Sequence, residues 1–333
     1  MKRALVTTCM ALVCLLAWTP TLDAYLKLGT RVGTQLVALR WNAFPIRYFV
    51  TNRDVPGVTA QQVRDAVGRA FGTWEAVPNT SMSSQFVGFT SATPLDNNSI
   101  SVLGFVSAPN LDRILGSTSF TYDVVTGEIV QADIFFNSTF AWSVSAGGEP
   151  GAYDLESIAL HEIGHLHGLG HSALGETELR AGGRRVLAAE AIMFPIAFSP
   201  GSVNARTPRA DDIAGISDLY GTDTFRRTTG SMSGRVTKNG AGVMGAHVIA
   251  FNPASGHMVA GFTMSQDGSF VIAGLEPGRH LVRVEPLDDA EIDSFFDVTL
   301  NIDVNFRPAF YERLVVVPRG STATNVEVRV VPK

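Results

Sequence analysis

His161-Glu162-Ile163-Gly164-His165-Leu166-His167-Gly168-Leu169-Gly170-His171 is the stretch on which the reading of this chain turns. On a helix, side chains four residues apart lie one turn apart on the same face, so His161 and His165 project together. Their imidazole nitrogens can then meet one ion at roughly 2.0–2.1 Å, the distance zinc requires. Glu162 stands about 100° round the helix from His161, beside such an ion without ligating it, where a general base belongs. Gly168 is expected to end the helix in a left-handed conformation that a Cβ resists. The chain can then turn back and present His171 as a third ligand. Three protein ligands leave the fourth position of a tetrahedral zinc open to water, the arrangement of a catalytic rather than a structural site. His167 lies about 200° from His165 and points away from the ion, a surface or packing residue. The alternative is a helix whose histidines face solvent or make ordinary hydrogen bonds, and it leaves the joint spacing unexplained.

Ala191-Ile192-Met193-Phe194-Pro195 follows the third histidine. With the long histidine motif before it, this segment resembles the Met-turn of the metzincin zinc peptidases. The resemblance implies that Met193 underlies the three zinc-binding imidazoles; alone, a methionine there would read as core. Within that clan the chain resembles the matrixins. Ser172 directly follows His171, and Pro195 matches the residue that walls the primed-side specificity pocket. Residues 210–221 resemble the last helix of that family, and residues 132–137 resemble the strand before its active-site helix. The likeness spans roughly residues 40–222. It implies a zinc metalloendopeptidase with protein or peptide substrates. A serralysin-like enzyme fits less well, because glycine-aspartate calcium repeats are missing and no tyrosine follows Met193 closely.

The departures from the family carry information too. Of seven histidines, four lie in 161–171 and the others are His247, His257 and His280. None precedes the active-site helix, so the second, structural zinc of vertebrate relatives lacks histidine ligands and one catalytic zinc is expected. Calcium is compatible with the chain but not readable from it, since carboxylates and carbonyls bind it without a signature here. Between His171 and Met193 runs a longer connection with Arg180, Gly182, Gly183, Arg184 and Arg185. It reads as an exposed basic loop, with nicking or substrate contact as the alternative. Asp211 and Asp212 have two readings. By resemblance, one holds the Met-turn region and the other pairs with a mature N-terminal ammonium; by position alone, both are helix-start carboxylates favoured by the dipole.

At 333 residues two domains are expected. A net charge of −5 argues against nucleic-acid binding. Few charges and abundant glycine suit a secreted, strand-rich protein. Lys2 and Arg3 precede an apolar stretch from Ala4 to about Trp18, and Leu22-Asp23-Ala24 offers a cleavage site, which together read as a secretory signal. The stretch is short for a membrane span. A secreted or extracellular protein is expected (or a periplasmic or surface-associated one), monomeric and without a transmembrane span after cleavage. Cys9 and Cys14 both fall inside the signal, so the mature chain would have neither a disulfide nor the propeptide cysteine that keeps many matrixins latent. Between Ala24 and Trp41 there is no room for a prodomain.

The remaining elements follow from local pattern. Residues 46–50 are β-rich; Thr59 with Gln62 forms a capping box, and Val63, Val67, Ala70, Phe71 and Trp74 repeat at helical spacing. Strands are expected over 100–106, 116–122 and 129–136, the middle one at a sheet edge where substrate backbone could add as a further strand. Asp154 should cap the zinc helix, and Thr207 and Pro208 should start the last helix, burying Ile213, Ile216 and Leu219 and closing at Gly221. From Gly230 onward, strand-length runs alternate with turns at Gly240, 253–256, 266–268 and 274–278, which predicts an antiparallel β-sandwich. Its glycine-rich pattern resembles carboxypeptidase-regulatory-like, transthyretin-like domains, with an accessory role implied.

The expected fold is α+β: a metzincin domain with a twisted, mostly parallel sheet, an antiparallel edge strand and three helices, followed by an all-β sandwich. The division is signal 1–24, zinc peptidase domain 25–222, linker 223–229 and sandwich 230–333. Two other functions use the same residues, a noncatalytic zinc-fold binder and a surface or adhesion protein whose sandwich does the main work.

Overall fold

The computed structural model describes residues 27–333 apart from 34, 182 and 298. The signal with Cys9 and Cys14, and Gly182 in the basic connection, lie outside the described residues. Near the start of the described residues lies a β-hairpin that the sequence did not announce, β1 (Gly29–Val32) against β2 (Gln35–Ala38). Next come β3 (Ile46–Thr51), α1 (Ala60–Glu75), β4 (Ser84–Thr90), β5 (Ser101–Val106), β6 (Gly116–Tyr122) and β7 (Ile129–Asn137). These five strands, β3 to β7, form one sheet in the order β4-β3-β5-β7-β6. Its pairs are parallel except β6 with β7, so β6 is an antiparallel edge, as expected. β4 escaped the sequence reading because it lies at the other edge and buries neither face fully.

Helix α1 begins at the expected box: the Gln62 N–H donates to the Thr59 hydroxyl, and the Thr59 N–H to the Gln62 side chain. Its apolar stripe of Val63, Val67, Ala70, Phe71 and Trp74 is buried against the sheet and the zinc helix, α2 (Leu155–Leu166). Tyr48 of β3 stacks on Phe71 at 4.6 Å between centroids. The Trp74 indole donates to the Leu160 carbonyl at 2.9 Å, tying α1 to α2 through a buried bond. Asp154 caps α2 as expected, accepting the Ser157 N–H at 2.9 Å. The same buried carboxylate takes two bonds from the Arg206 guanidinium, at 2.8 and 2.5 Å.

Three expectations need correction. The connection after His171 is no loose basic loop but an antiparallel hairpin, Gly175–Arg180 with Gly183–Ala189. Glu178 pairs with Arg185 across the hairpin and with Arg180 on its own strand, so the charges are partly self-satisfied. The last catalytic helix, α3 (Ala210–Tyr220), starts later than Thr207-Pro208 suggested, because the Asp212 carboxylate accepts the Arg209 N–H and sets the cap there. Ile216 and Leu219 are buried as expected, but Ile213 is only half-buried. Between α3 and the C-terminal strands lies a short helix, α4 (Asp223–Thr228).

The C-terminal β region holds two sheets. One centres on Gly230–Lys238, paired antiparallel with Ser269–Leu275 and parallel with Thr322–Val330. That parallel pair departs from a purely antiparallel sandwich. The other sheet runs Met258–Phe262, His247–Phe251, Gly278–Glu285, with Val315–Val317 beside the last. Met232, Val236, Val248, Val282, Val284 and Val328 from both sheets share one core. Ala214 of α3 belongs to that same core, and Leu174 and Ala191 of the catalytic region cluster with Ile249 and Ala260. The two regions are therefore joined by buried apolar surface, not only by α4. No helix among the described residues is long and apolar enough to cross a membrane.

Candidate active site

Helix α2 presents His161 and His165 one turn apart, and its C-terminal end is unusually well tied. The Trp41 indole donates to the Leu166 carbonyl at 2.8 Å, the Tyr220 hydroxyl to the His167 carbonyl at 2.7 Å, and the Leu28 N–H to the Gly168 carbonyl at 2.9 Å. These satisfy carbonyls that a helix end leaves without internal partners. Gly168 has φ +99°, and a Cβ there would lie 2.2 Å from the Leu39 carbonyl oxygen, so both conformation and space require glycine. His167 is buried among Phe71, Trp74 and Tyr220, with its Nδ1 at 2.7 Å from the Ile163 carbonyl, which makes it a packing residue.

The turn at Gly168 brings His171 to the other two. The ligand atoms of His161, His165 and His171 all lie within 4.8 Å of one another. Each ring has its Nδ1 against a main-chain carbonyl: Ile192 at 2.7 Å, Leu169 at 2.7 Å and Ser294 at 2.6 Å, respectively. A carbonyl only accepts, so each Nδ1 carries the proton and each Nε2 is left with a bare lone pair. The Nε2 atoms of His165 and His171 approach to 3.1 Å. Two lone pairs so close repel unless a cation lies between them. A tetrahedral zinc with bonds of about 2.0–2.1 Å separates two nitrogens by roughly 3.3 Å, so the residues fit that ion. Burial holds all three imidazoles below the usual histidine range, His161 at about 3, with its neighbour His171 adding to the effect. Neutral imidazole is the form that ligates metal.

Glu162 is 5 % exposed and lies on the side of α2 facing β6. Burial pushes its carboxyl up to about 7, while a hydrogen bond from the Thr118 hydroxyl at 2.7 Å pulls it partly back. Thr118, on the edge strand, carries no sequence signal and was missed; only the sheet order brings it to the helix. Met193 is buried beneath α2, packed so closely on Gly164 that a Cβ there would fall 2.3 Å from its sulfur. Pro195 is half-buried just beyond it.

The two aspartates separate into distinct tasks. Asp212 accepts the N–H groups of Ile192 at 2.9 Å and Met193 at 3.1 Å, so it does hold the Met193 turn. Asp211 accepts the Ala260 N–H at 2.8 Å, from the C-terminal β region. Burial raises both carboxyls, Asp212 to about 7. His247, His257 and His280 gather no metal-ligating cluster among the described residues.

A mostly parallel sheet, a ligand-bearing helix laid on it and three converging imidazoles form the architecture of a zinc peptidase domain. Residues 40–221 match the Matrixin family model. Similar proteins include Metalloendoproteinase 1-MMP of Arabidopsis thaliana, 27% identical over 195 residues that cover 55% of this chain and 44% of the relative. Metalloendoproteinase 1 of Glycine max is 31% identical over 172 residues (47% and 45%), and Stromelysin-1 of Mus musculus 26% over 194 (56% and 34%). The chain belongs to the matrixin family and carries its three-histidine zinc site intact. It spans less than half the length of the curated relatives it matches.

Proposed function

We propose that this protein is a secreted zinc-dependent endopeptidase that hydrolyses internal peptide bonds of protein substrates. The observation that carries the proposal is the convergence of three bare Nε2 atoms beside one buried carboxyl, Glu162. The chemistry zinc supplies when bound is Lewis acidity, which acidifies the attacking water and polarises the scissile carbonyl. Glu162 takes the proton of that water and returns it to the leaving amine, acting as base and then acid. Burial holds this carboxyl above the usual carboxylate range in the metal-free chain, and the charge of a bound zinc would draw it back towards the ionised, proton-accepting form. Thr118 holds Glu162 in place. The outer edge of β6, which pairs only with β7 among the described strands, is where an extended substrate would add its backbone. Met193 supports the floor of the site, and Pro195 lines the specificity pocket. Gly168 gives the turn that delivers His171.

The unit boundaries follow the same reading: a peptidase unit over 25–222 and a β unit over 230–333, bridged by α4. The β unit's two-sheet core and glycine-bearing turns support its likeness to carboxypeptidase-regulatory-like domains. The signal-like N-terminus supports export.

The test is to incubate the chain from Tyr25 onward with an unfolded protein, beside Glu162→Ala and a chelated control. Cleavage by the wild type alone, with zinc still bound to Glu162→Ala, is the expected outcome. Near-wild-type cleavage by Glu162→Ala would overturn the assignment of that residue.

A further inference from the structure

Each zinc-binding imidazole is held by a carbonyl on its Nδ1, but the three carbonyls come from different places. Those of Ile192 and Leu169 belong to the catalytic region. The third, on His171, belongs to Ser294, 123 residues further along and inside the C-terminal β region. We infer that this β region is a working part of the zinc site: the Ser294 main-chain carbonyl positions His171, and tight zinc binding depends on it. The inference rests on reading the histidine triad as a zinc site.

The turn that carries the carbonyl is firmly rooted. Ile292–Ser294 is a single 3-10 turn, closed by the Phe295 and Phe296 N–H groups donating to the Ile292 carbonyl at 3.0 and 2.9 Å. Phe295 meets the His171 ring edge-on, with centroids 6.0 Å apart, and packs on Phe262 behind it. Phe296 is buried against the same Phe262, 5.0 Å between centroids. Ala173, two residues past His171, is buried in this cluster with Phe262, Leu287 and Phe296. The ligand's own segment and the turn that orients it are thus packed into one apolar body.

Further bonds lock the boundary. The Thr177 N–H donates to the Asp289 carboxylate at 2.7 Å, and the Thr177 hydroxyl to the Asp289 carbonyl at 2.8 Å. From α3, buried Asp211 accepts the Ala260 N–H. A bond of the Ser294 kind fixes the ligand's tautomer and ring plane and raises the basicity of the metal-facing nitrogen. Neither of the other two anchors can replace it, because each holds a different ring. A separable accessory domain would make no such contact.

A main-chain carbonyl cannot be deleted by substitution, but it can be turned. Phe295 has φ −117°, which proline cannot adopt, and a following proline disfavours the helical conformation of Ser294. Phe295→Pro in the full chain should therefore swing the carbonyl away. Zinc affinity is read by competition with a chromophoric chelator, and ligand geometry by the visible spectrum of the cobalt-substituted protein. Zinc binding is expected to weaken by roughly 10–100-fold, with an altered cobalt spectrum and an unchanged far-UV signature.

The double variant Asp293→Gly, Ser294→Gly loosens the same carbonyl while keeping the Phe295 ring on His171, and so separates the carbonyl from the ring contact that the proline variant also removes. It should weaken zinc in the same direction by less. Wild-type zinc affinity in either folded variant would overturn the inference, as would lowered thermal stability with zinc affinity unmoved. If zinc-loaded wild type fails to cleave any protein, the peptidase reading falls; the affinity measurements still decide this one.

Discussion

Gly164→Ala sets two well-known effects against each other at the centre of the zinc helix. Alanine is favoured over glycine inside a helix by about 1 kcal/mol, so propensity alone forecasts a more stable protein. The structure forecasts the opposite. A Cβ on Gly164 falls 2.3 Å from the Met193 sulfur and 3.0 Å from Trp74 Cζ2. The indole cannot retreat, because its N–H is bonded to the Leu160 carbonyl and the ring is fully buried. Met193 must therefore move by roughly 1.3 Å to restore a normal contact of about 3.6 Å. It would do so within a full core. Overpacking of this kind costs about 1–3 kcal/mol, so after the helix gain the expected net loss is on the order of 1 kcal/mol. Chemical denaturation of the metal-free protein measures it. Because Ile192, next to Met193, carries the carbonyl on His161, zinc affinity should fall as well. Adding Met193→Ala removes the obstruction, so the double variant should lose less than the two single losses summed. A Gly164→Ala protein at least as stable as its parent, with zinc affinity intact, would refute the packing argument.

Arg206→Ala removes both guanidinium bonds from Asp154, which is 2% exposed and caps the zinc helix. Stranding that charge should destabilise the fold by roughly 3 kcal/mol, read as a fall in denaturation midpoint. Thr118→Val deletes the hydroxyl on Glu162 while keeping the side-chain shape; kcat/KM should drop roughly tenfold, the worth of one hydrogen bond to a charged group, with zinc affinity unchanged. Asp212 sits at about 7 when folded against an ordinary 3.8, so the folded protein holds a proton that the unfolded chain has released. Its contribution is full below pH 4 and is lost as pH rises towards 7. Metal-free protein should therefore lose stability across that interval, and Asp212→Asn, though weaker overall from a mismatched Met193 or Ile192 N–H, should show a flatter profile in melts at stepped pH.

What the sequence made legible is what lies close along the chain. His161, His165 and His171 sit within eleven residues, and their spacing alone implies convergence. Thr59 with Gln62 and Asp154 with Ser157 are likewise contacts across three residues, and both caps formed where expected. The edge position of β6 could be anticipated because a short turn links it to β7. The hairpin over 175–189 read as a loop because both its strands are half-exposed and charged, so no apolar alternation marks them. Thr207-Pro208 looked like a helix start, yet a carboxylate at position 212 captured the cap for Arg209. Most telling is Ser294: its carbonyl is a main-chain atom that any residue possesses, and no side-chain pattern at position 294 could point to a histidine 123 residues away.

The parallel pairing of Thr322–Val330 with Gly230–Lys238 has a consequence in time. A chain emerging from the ribosome or a translocation pore presents its histidines long before strand 322–330 exists to close the sheet that opens at residue 230. Such late, non-local closure is slow. If the third imidazole takes its orientation from that β region, an incomplete chain holds the ligands without the frame that aligns them. The order of synthesis then sets the order of assembly, with the third imidazole left unaligned until the β region that holds its carbonyl partner has been made.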